Sequence, residues 1–243
     1  PFLFAANGRS YIEQLKTKSG VWFLDVRDSF NKAKALYNFY SPEGLIELIK
    51  RDVQIANQKL LASDYTYLAS SNGLNLREYQ IDAIKAVEIK IQEEQTDDKK
   101  ALLVMATGTG KTRTIGGLVY RLIKANRFRR ILFLTDRTLL AEQARDSISE
   151  NKVENLQSFA SIYKIADLNL KRPDYETRLQ FATVQSMVKR VFYSEEPLPV
   201  DAFDCIIIDE AHRGYILDRE FVEDDLEFRN QEDYIGQYKK LLH

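Results

Sequence analysis

The stretch "MATGTGKT", residues 105–112, restricts what this chain can fold into more than any other. It follows the apolar run "ALLV" and precedes "RTIGGLVYRLIK", so a predicted strand passes through a glycine turn directly into a predicted helix. Gly108 and Gly110 let the backbone curl until consecutive N–H groups converge on phosphate oxygens, where a Cβ would obstruct the approach. Lys111 is then placed to reach β- and γ-phosphates, Thr112 offers a hydroxyl to Mg²⁺, and the helix adds its positive N-terminal end. Thr107, Gly108, Thr109, Gly110, Lys111 and Thr112 are therefore the candidate nucleotide-binding set. The helix has independent support, because Ile115, Leu118, Val119 and Leu122 recur at i, i+3, i+4 and i+7. Met105 stands where the general pattern has glycine, a position that only opens the loop.

Around this turn, apolar runs alternate with helical stretches: "ALLVM", "RILFLTD", "LQFATV" and "DCIIIDE". Continuous apolar runs of that kind suit a parallel sheet covered on both faces, so residues 74–243 read as an α/β domain. Residues 1–40 read as β-rich, with "PFLFAA", an Asn7-Gly8 turn, a short strand around Tyr11–Leu15, and "VWFLDV". Ser41 and Pro42 form a helix start, Ser at the N-cap and Pro at the first position, and residues 41–73 read as a helical linker ending in "SSNGLN". There is no internal repeat.

With 243 residues, 44% of them apolar, the chain can bury one sizeable core and a smaller one. A formal charge of −1 gives no global electrostatic argument for a nucleic-acid partner, which must be argued from local residues. The single cysteine, Cys205, excludes an intramolecular disulfide and reads as a buried, inert thiol. No stretch reaches the roughly 18 apolar residues of a membrane span, and a cytoplasmic location is expected. The chain opens on Pro1 and closes just after "YKKLLH", and it reads as a fragment.

A second chemical element is "IIIDEAH", residues 206–212, an apolar strand that delivers two adjacent carboxylates to its C-terminal end. Asp209 would hold Mg²⁺ and Glu210 would polarise the attacking water, roles that need neighbours because metal and water lie side by side at the γ-phosphate. Lys111, Asp209 and Glu210 are the candidate catalytic groups, with Thr112 and Asp209 on the metal. His212 lacks a second histidine or cysteine nearby and suits a coupling role rather than ligation. In "LREYQ", residues 76–80, Gln80 can donate and accept at once and is the candidate reader of the adenine edge. The basic run "KANRFRR", residues 124–130, either tracks a nucleic-acid backbone or closes an amphipathic helix as a solvated face.

Taken in order, "LREYQ", "TGTGKT", "LFLTDRTLLAEQA", "TVQSM" and "DEAHRGY" resemble the first RecA-like lobe of superfamily 2 helicases and translocases. Within that group, "TDRTLLAEQA" and "DEAHRGY" look most like the motor (R) subunit of type I restriction endonucleases. The resemblance implies an ATP-dependent, Mg²⁺-requiring translocase on double-stranded DNA that works with methylation and specificity subunits. It also implies that Arg137, and Thr183, Gln185 and Ser186, face the nucleic-acid backbone. Loops at strand ends can present such donors to phosphates without reading sequence, as motion along DNA requires. In that family a nuclease domain precedes the motor, and residues 1–40 resemble its closing part. Gln14 to Lys16 mimics a metal-binding E-x-K, but no acidic strand precedes it. A second RecA-like lobe completes the family's ATP site with arginine, so this length of chain should bind nucleotide and hydrolyse it poorly. A general DNA or RNA helicase is the alternative enzyme, and a nucleotide-gated binding module without turnover is the alternative of another class.

Overall fold

The computed structural model describes residues 1–12, 18–27, 31–93, 100–154 and 156–211. Strands β1 (Phe2–Ala6), β2 (Val21–Asp25) and β3 (Lys34–Leu36) form an antiparallel sheet in that order. Val21 and Phe23 turn to one face of β2 and are buried, and Phe23 gathers the rings of Phe2, Phe4 and Tyr40 at 5.7, 5.2 and 4.7 Å. The strand expected around Tyr11 is not found at Tyr11 or Ile12, and the remainder of that stretch, with Gln14 and Lys16, lies outside the described residues. The third place in the sheet belongs to Lys34–Leu36 instead.

The helix expected to start at Ser41 and Pro42 is present. The Ser41 hydroxyl accepts the Gly44 N–H at 3.0 Å, and Pro42 opens α1 (Pro42–Lys50). The helical run then breaks at Arg51, and Asp52 caps a fresh helix, α2 (Val53–Ala62), by accepting the Ile55 N–H at 3.0 Å. A short α3 (Thr66–Ala69) leads to α4 (Glu78–Gln92).

Helix α5 (Lys111–Lys124) packs against α4 so closely that a Cβ on Gly117 would meet Ile84, Leu76 and Leu74 at 3.1 to 3.2 Å. Beyond it come β4 (Ile131–Thr135), α6 (Thr138–Glu150), and the small ribbon of β5 (Lys152–Glu154) with β6 (Gln157–Ser158). The chain continues through α7 (Phe159–Ile162), β7 (Lys164–Ala166), β8 (Thr177–Thr183), α8 (Val184–Phe192) and β9 (Cys205–Ile208). Strands β7, β8, β4 and β9 make a parallel sheet in that order. All five residues of β4 are buried, as a central strand covered on both faces requires. Ile131 and Phe133 point into the core shared with α4, α5 and α6, while Leu132 and Leu134 point into the core shared with α8. The fold is a mixed α/β, RecA-like arrangement.

Two expectations change. Residues 101–105 form no strand: no described strand offers them a ladder, and Leu102 and Val104 are 79% and 89% exposed while only Leu103 packs on the core. The basic run is only partly a solvated face: Lys124 is exposed, whereas Arg127 and Arg130 are buried and their guanidiniums are taken up inside the fold. Arg130 donates to the carbonyls of Thr177, Ala202 and Asp174, and Arg127 to Asn57 and the Ile91 carbonyl. Arg130 thus staples loops to the sheet, and Arg127 ties the segment before β4 to α2 and α4. Cys205 is partly rather than fully buried, packed against the core, and desolvation there pushes its thiol up to about 12, in keeping with an inert group. Among the described residues no helix is long and apolar enough to cross a membrane.

Candidate active site

The glycine turn closes directly onto α5. Gly108 and Gly110 hold φ of +77° and +82°, a region closed to most side chains. At Gly108 the backbone angle is the whole constraint, since an added Cβ would meet nothing within 4 Å. At Gly110 a Cβ would also lie 2.5 Å from Gln80 Nε2. The Thr109 N–H and hydroxyl both donate to the Ala106 carbonyl, at 3.3 and 2.6 Å, which closes the turn.

Gln80 stands third in α4 and reaches back, its Oε1 accepting the Arg77 N–H at 2.8 Å. Its Nε2 donates to the carbonyls of Thr109 at 3.0 Å and Gly110 at 3.3 Å. The amide expected at an adenine edge thus rests on the glycine turn in this structure. Tyr79, which the sequence reading passed over, donates its hydroxyl to the same Thr109 carbonyl at 2.8 Å. Its only sequence signal is its place beside Gln80 in "LREYQ".

The acidic pair arrives from the other side. β9 runs beside β4 with Leu134 opposite Ile208, and the Asp209 N–H extends that ladder to the Leu134 carbonyl at 2.9 Å. Glu210 then turns into the left-handed region at φ +52°, with its N–H on Asp209 Oδ1 at 3.0 Å. This turn sends the Glu210 carboxylate to Lys111 Nζ at 2.6 Å, joining positions 99 residues apart. The two side chains are 30% and 26% exposed, so solvent still screens the pair. The hydrogen bond that Lys111 donates to Glu210 raises the Lys111 pKa against opposing desolvation, and the ammonium stays charged. Asp209 moves the opposite way for a carboxylate: burial, then the neighbouring Glu210, raise its pKa, with Lys111 only partly offsetting them. A half-buried carboxylate beside a second one is the environment a divalent cation relieves. No cluster of three or more His, Cys, Asp or Glu ligands exists among the described residues. The donor set, one carboxylate and the Thr112 hydroxyl, suits Mg²⁺ that takes its other ligands from water and phosphates. His212 lies outside the described residues.

The remaining expected positions meet at the same end of the sheet. Thr135 and Thr183 are register partners on β4 and β8, so the loops after these strands lie side by side, with Asp209 on the far side of β4. Arg137 caps α6 and keeps a side chain that is 40% exposed. Thr183 caps α8 and accepts the Ser186 N–H at 3.2 Å, while the Ser186 hydroxyl donates to the Thr183 carbonyl at 2.9 Å. Gln185 is buried and donates to the Asp136 carbonyl at 3.3 Å, tying one loop to the next. Of the four, Arg137 presents the most side chain to solvent, and the other three shape the loop. Asp136, also missed in sequence, is buried at this junction, and its charge adds to the rise at Asp209.

Comparison with known proteins gives the geometry a context. Residues 73–240 match the family model described as "Type III restriction enzyme, res subunit", and residues 1–49 match the second domain of the type I restriction enzyme EcoKI endonuclease subunit. The chain is 46% identical over its whole length to the "Type I restriction enzyme EcoKI endonuclease subunit" of Escherichia coli strain K12, of which it covers 20%. It is 31% identical over 88% of its length to the "Type I restriction enzyme EcoAI endonuclease subunit" of Escherichia coli, of which it covers 24%. The chain therefore spans between a fifth and a quarter of the length of these curated relatives. Because the res-subunit model covers more than half of its residues and the EcoKI domain matches the part before it, the chain belongs to the restriction-enzyme family whose relatives are the endonuclease (R) subunits of type I enzymes.

Proposed function

We propose that this chain is the ATP-binding motor portion of a type I restriction enzyme, an ATP-dependent translocase on double-stranded DNA. The observation that carries the reading is the meeting of Lys111 and Glu210 at 2.6 Å with Asp209 beside them, at the mouth of the glycine turn. In this reading residues 74–243 are the first RecA-like lobe, 41–73 the linker, and 1–40 the closing part of the preceding nuclease-type domain. The enzyme works in the cytoplasm, with methylation and specificity subunits as partners.

The residues divide the labour. Gly108 and Gly110 open the backbone to the phosphates, with Thr107 and Thr109 completing the turn and Gln80 bracing it. On nucleotide binding, Lys111 exchanges the Glu210 carboxylate for β- and γ-phosphate oxygens, which frees Glu210 to polarise the attacking water. Mg²⁺, held through Thr112 and Asp209, would neutralise charge on the β- and γ-oxygens. Arg137, from the loop next to Asp209, faces the DNA backbone, with Thr183, Gln185 and Ser186 shaping the adjoining loop. Hydrolysis at the end of β9 then reaches the Arg137 loop across one strand spacing of about 4.8 Å and the Thr183 loop across two.

The test is ATP hydrolysis by the full-length subunit assembled with its partners, in the presence of duplex DNA, single-stranded DNA or RNA. Stimulation by duplex DNA alone, abolished by Lys111→Ala, is expected. Stimulation by single strands or RNA would replace this reading with that of a helicase.

A further inference from the structure

Tyr79 is half-exposed, at 43%, yet it spends its hydroxyl on a main-chain carbonyl of the glycine turn. That carbonyl, of Thr109, also receives the Gln80 amide, and the Gln80 amide reaches the Gly110 carbonyl as well. The Gly110 carbonyl is fixed by two further donors, the N–H and hydroxyl of Thr114 at 3.0 and 3.1 Å. Two consecutive carbonyls of the turn are therefore held toward α4 and α5.

The covalent geometry of the peptide gives this arrangement its consequence. The described chain has no cis peptide bond, and in a trans peptide the C=O and the next N–H point in opposite directions. Holding the Thr109 carbonyl on α4 turns the Gly110 N–H away from α4, and holding the Gly110 carbonyl does the same for the Lys111 N–H. These are N–H groups that a phosphate-binding turn must present together. Glycine at 110 removes a side chain's restraint on rotation of these planes, since φ there is +82° and no Cβ is present. An unrestrained turn would have to order itself on each binding event, and ordering costs affinity.

We infer that Tyr79 is a positioning residue of the phosphate site: its hydroxyl, with the Gln80 amide behind it, locks the Thr109–Gly110 peptide plane so that the following N–H groups are set for phosphate before nucleotide arrives. This rests on the nucleotide-site reading of the turn. Tyr79 acts through the backbone and contributes nothing to recognition of the base, so its effect is the same for any ligand carrying a diphosphate.

The experiment uses the full-length subunit and titrates ADP and, separately, inorganic pyrophosphate into the wild type, Tyr79→Phe and Lys111→Ala. Removing the one hydroxyl should weaken both ligands by a similar factor, about five-fold, the scale of one net hydrogen bond. The unfolding midpoint should fall by no more than a few degrees, the cost of about one hydrogen bond, because the ring stays in place. Unchanged affinity for both ligands in Tyr79→Phe overturns the positioning role. Weaker ADP binding with unchanged pyrophosphate binding also overturns it, by making Tyr79 a reader of the nucleoside. Lys111→Ala separates this from the underlying reading: if that variant binds pyrophosphate and ADP as the wild type does, the turn is not the phosphate site and the positioning role falls with it.

Discussion

At the scale of single residues the site is built from backbone angles as much as from side chains. Gly108, Gly110 and Glu210 all hold positive φ, and the only one of them with a side chain is the one whose carboxylate meets Lys111. A non-glycine residue in that region costs about 1–3 kcal/mol and marks a place where surrounding structure overrides local preference. The two glycines make separable predictions. Gly108→Ala should destabilise the nucleotide-free protein by about 1–2 kcal/mol, the cost of the angle alone, since the added methyl meets nothing. Gly110→Ala should cost more, because its methyl would lie 2.5 Å from Gln80 Nε2 and would displace the amide from the turn. Urea unfolding of the two variants checks the order, and equal losses would mean that the Gln80 contact is slack. Lys111, Asp209 and Glu210 were legible in the sequence because "TGTGKT" and "IIIDEAH" each carry their chemistry in consecutive residues. Tyr79 and Asp136 were not, since a hydroxyl on a remote carbonyl and a burial at a loop junction leave no pattern along the chain.

At the scale of elements, periodicity identified strands only where packing agreed with it. "RILFLTD", "LQFATV" and "DCIIIDE" became β4, β8 and β9 because each finds a parallel neighbour, with both faces covered along β4 and β8 and β9 only partly covered, Ile206 being 42% exposed. "ALLVM" has the same composition and no described ladder, so its apolar character did not make it a strand. The guanidiniums of "KANRFRR" were illegible for a related reason: charge in sequence does not reveal which carbonyls will surround it. A buried ion pair fastens the helix of the glycine turn to its neighbours. Arg121 on α5 donates to Glu88 on α4 at 2.6 and 3.1 Å, stacks 3.9 Å over the Tyr65 ring, and takes the carbonyls of Leu60, Ser63 and Asp64. Side-chain exposures of 5% and 3% put this pair in low dielectric, where removing one partner leaves a charge without compensation. Arg121→Met should therefore lower stability by about 3–5 kcal/mol, seen as a lower thermal midpoint. Adding Glu88→Gln to it should recover part of the loss. If the single and double variants unfold alike, the pair does not act as a coupled unit.

At the scale of the molecule, both ends of α1 are joined to the sheet through the segment that leads into β9. Asp201 takes the Ser41 N–H at 2.7 Å and its hydroxyl at 2.6 Å, and Asp204 takes the N–H groups of Arg129 and Arg130 as well as the Arg51 guanidinium. Helix α1, the segment entering β4 and the segment entering β9 thus belong to one bonded network, although no motif announces it in sequence. What the account claims above all is that Glu210 is the group that turns bound nucleotide over. The most direct measurement is single-turnover ATP hydrolysis by the full-length subunit carrying Glu210→Gln, alongside its affinity for a non-hydrolysable ATP analogue. The account predicts a loss of about 10²–10⁴-fold in the hydrolytic rate, with analogue affinity kept or raised because Lys111 loses its ionic competitor. A rate equal to that of the wild type would contradict the account and leave the chain a nucleotide-binding module.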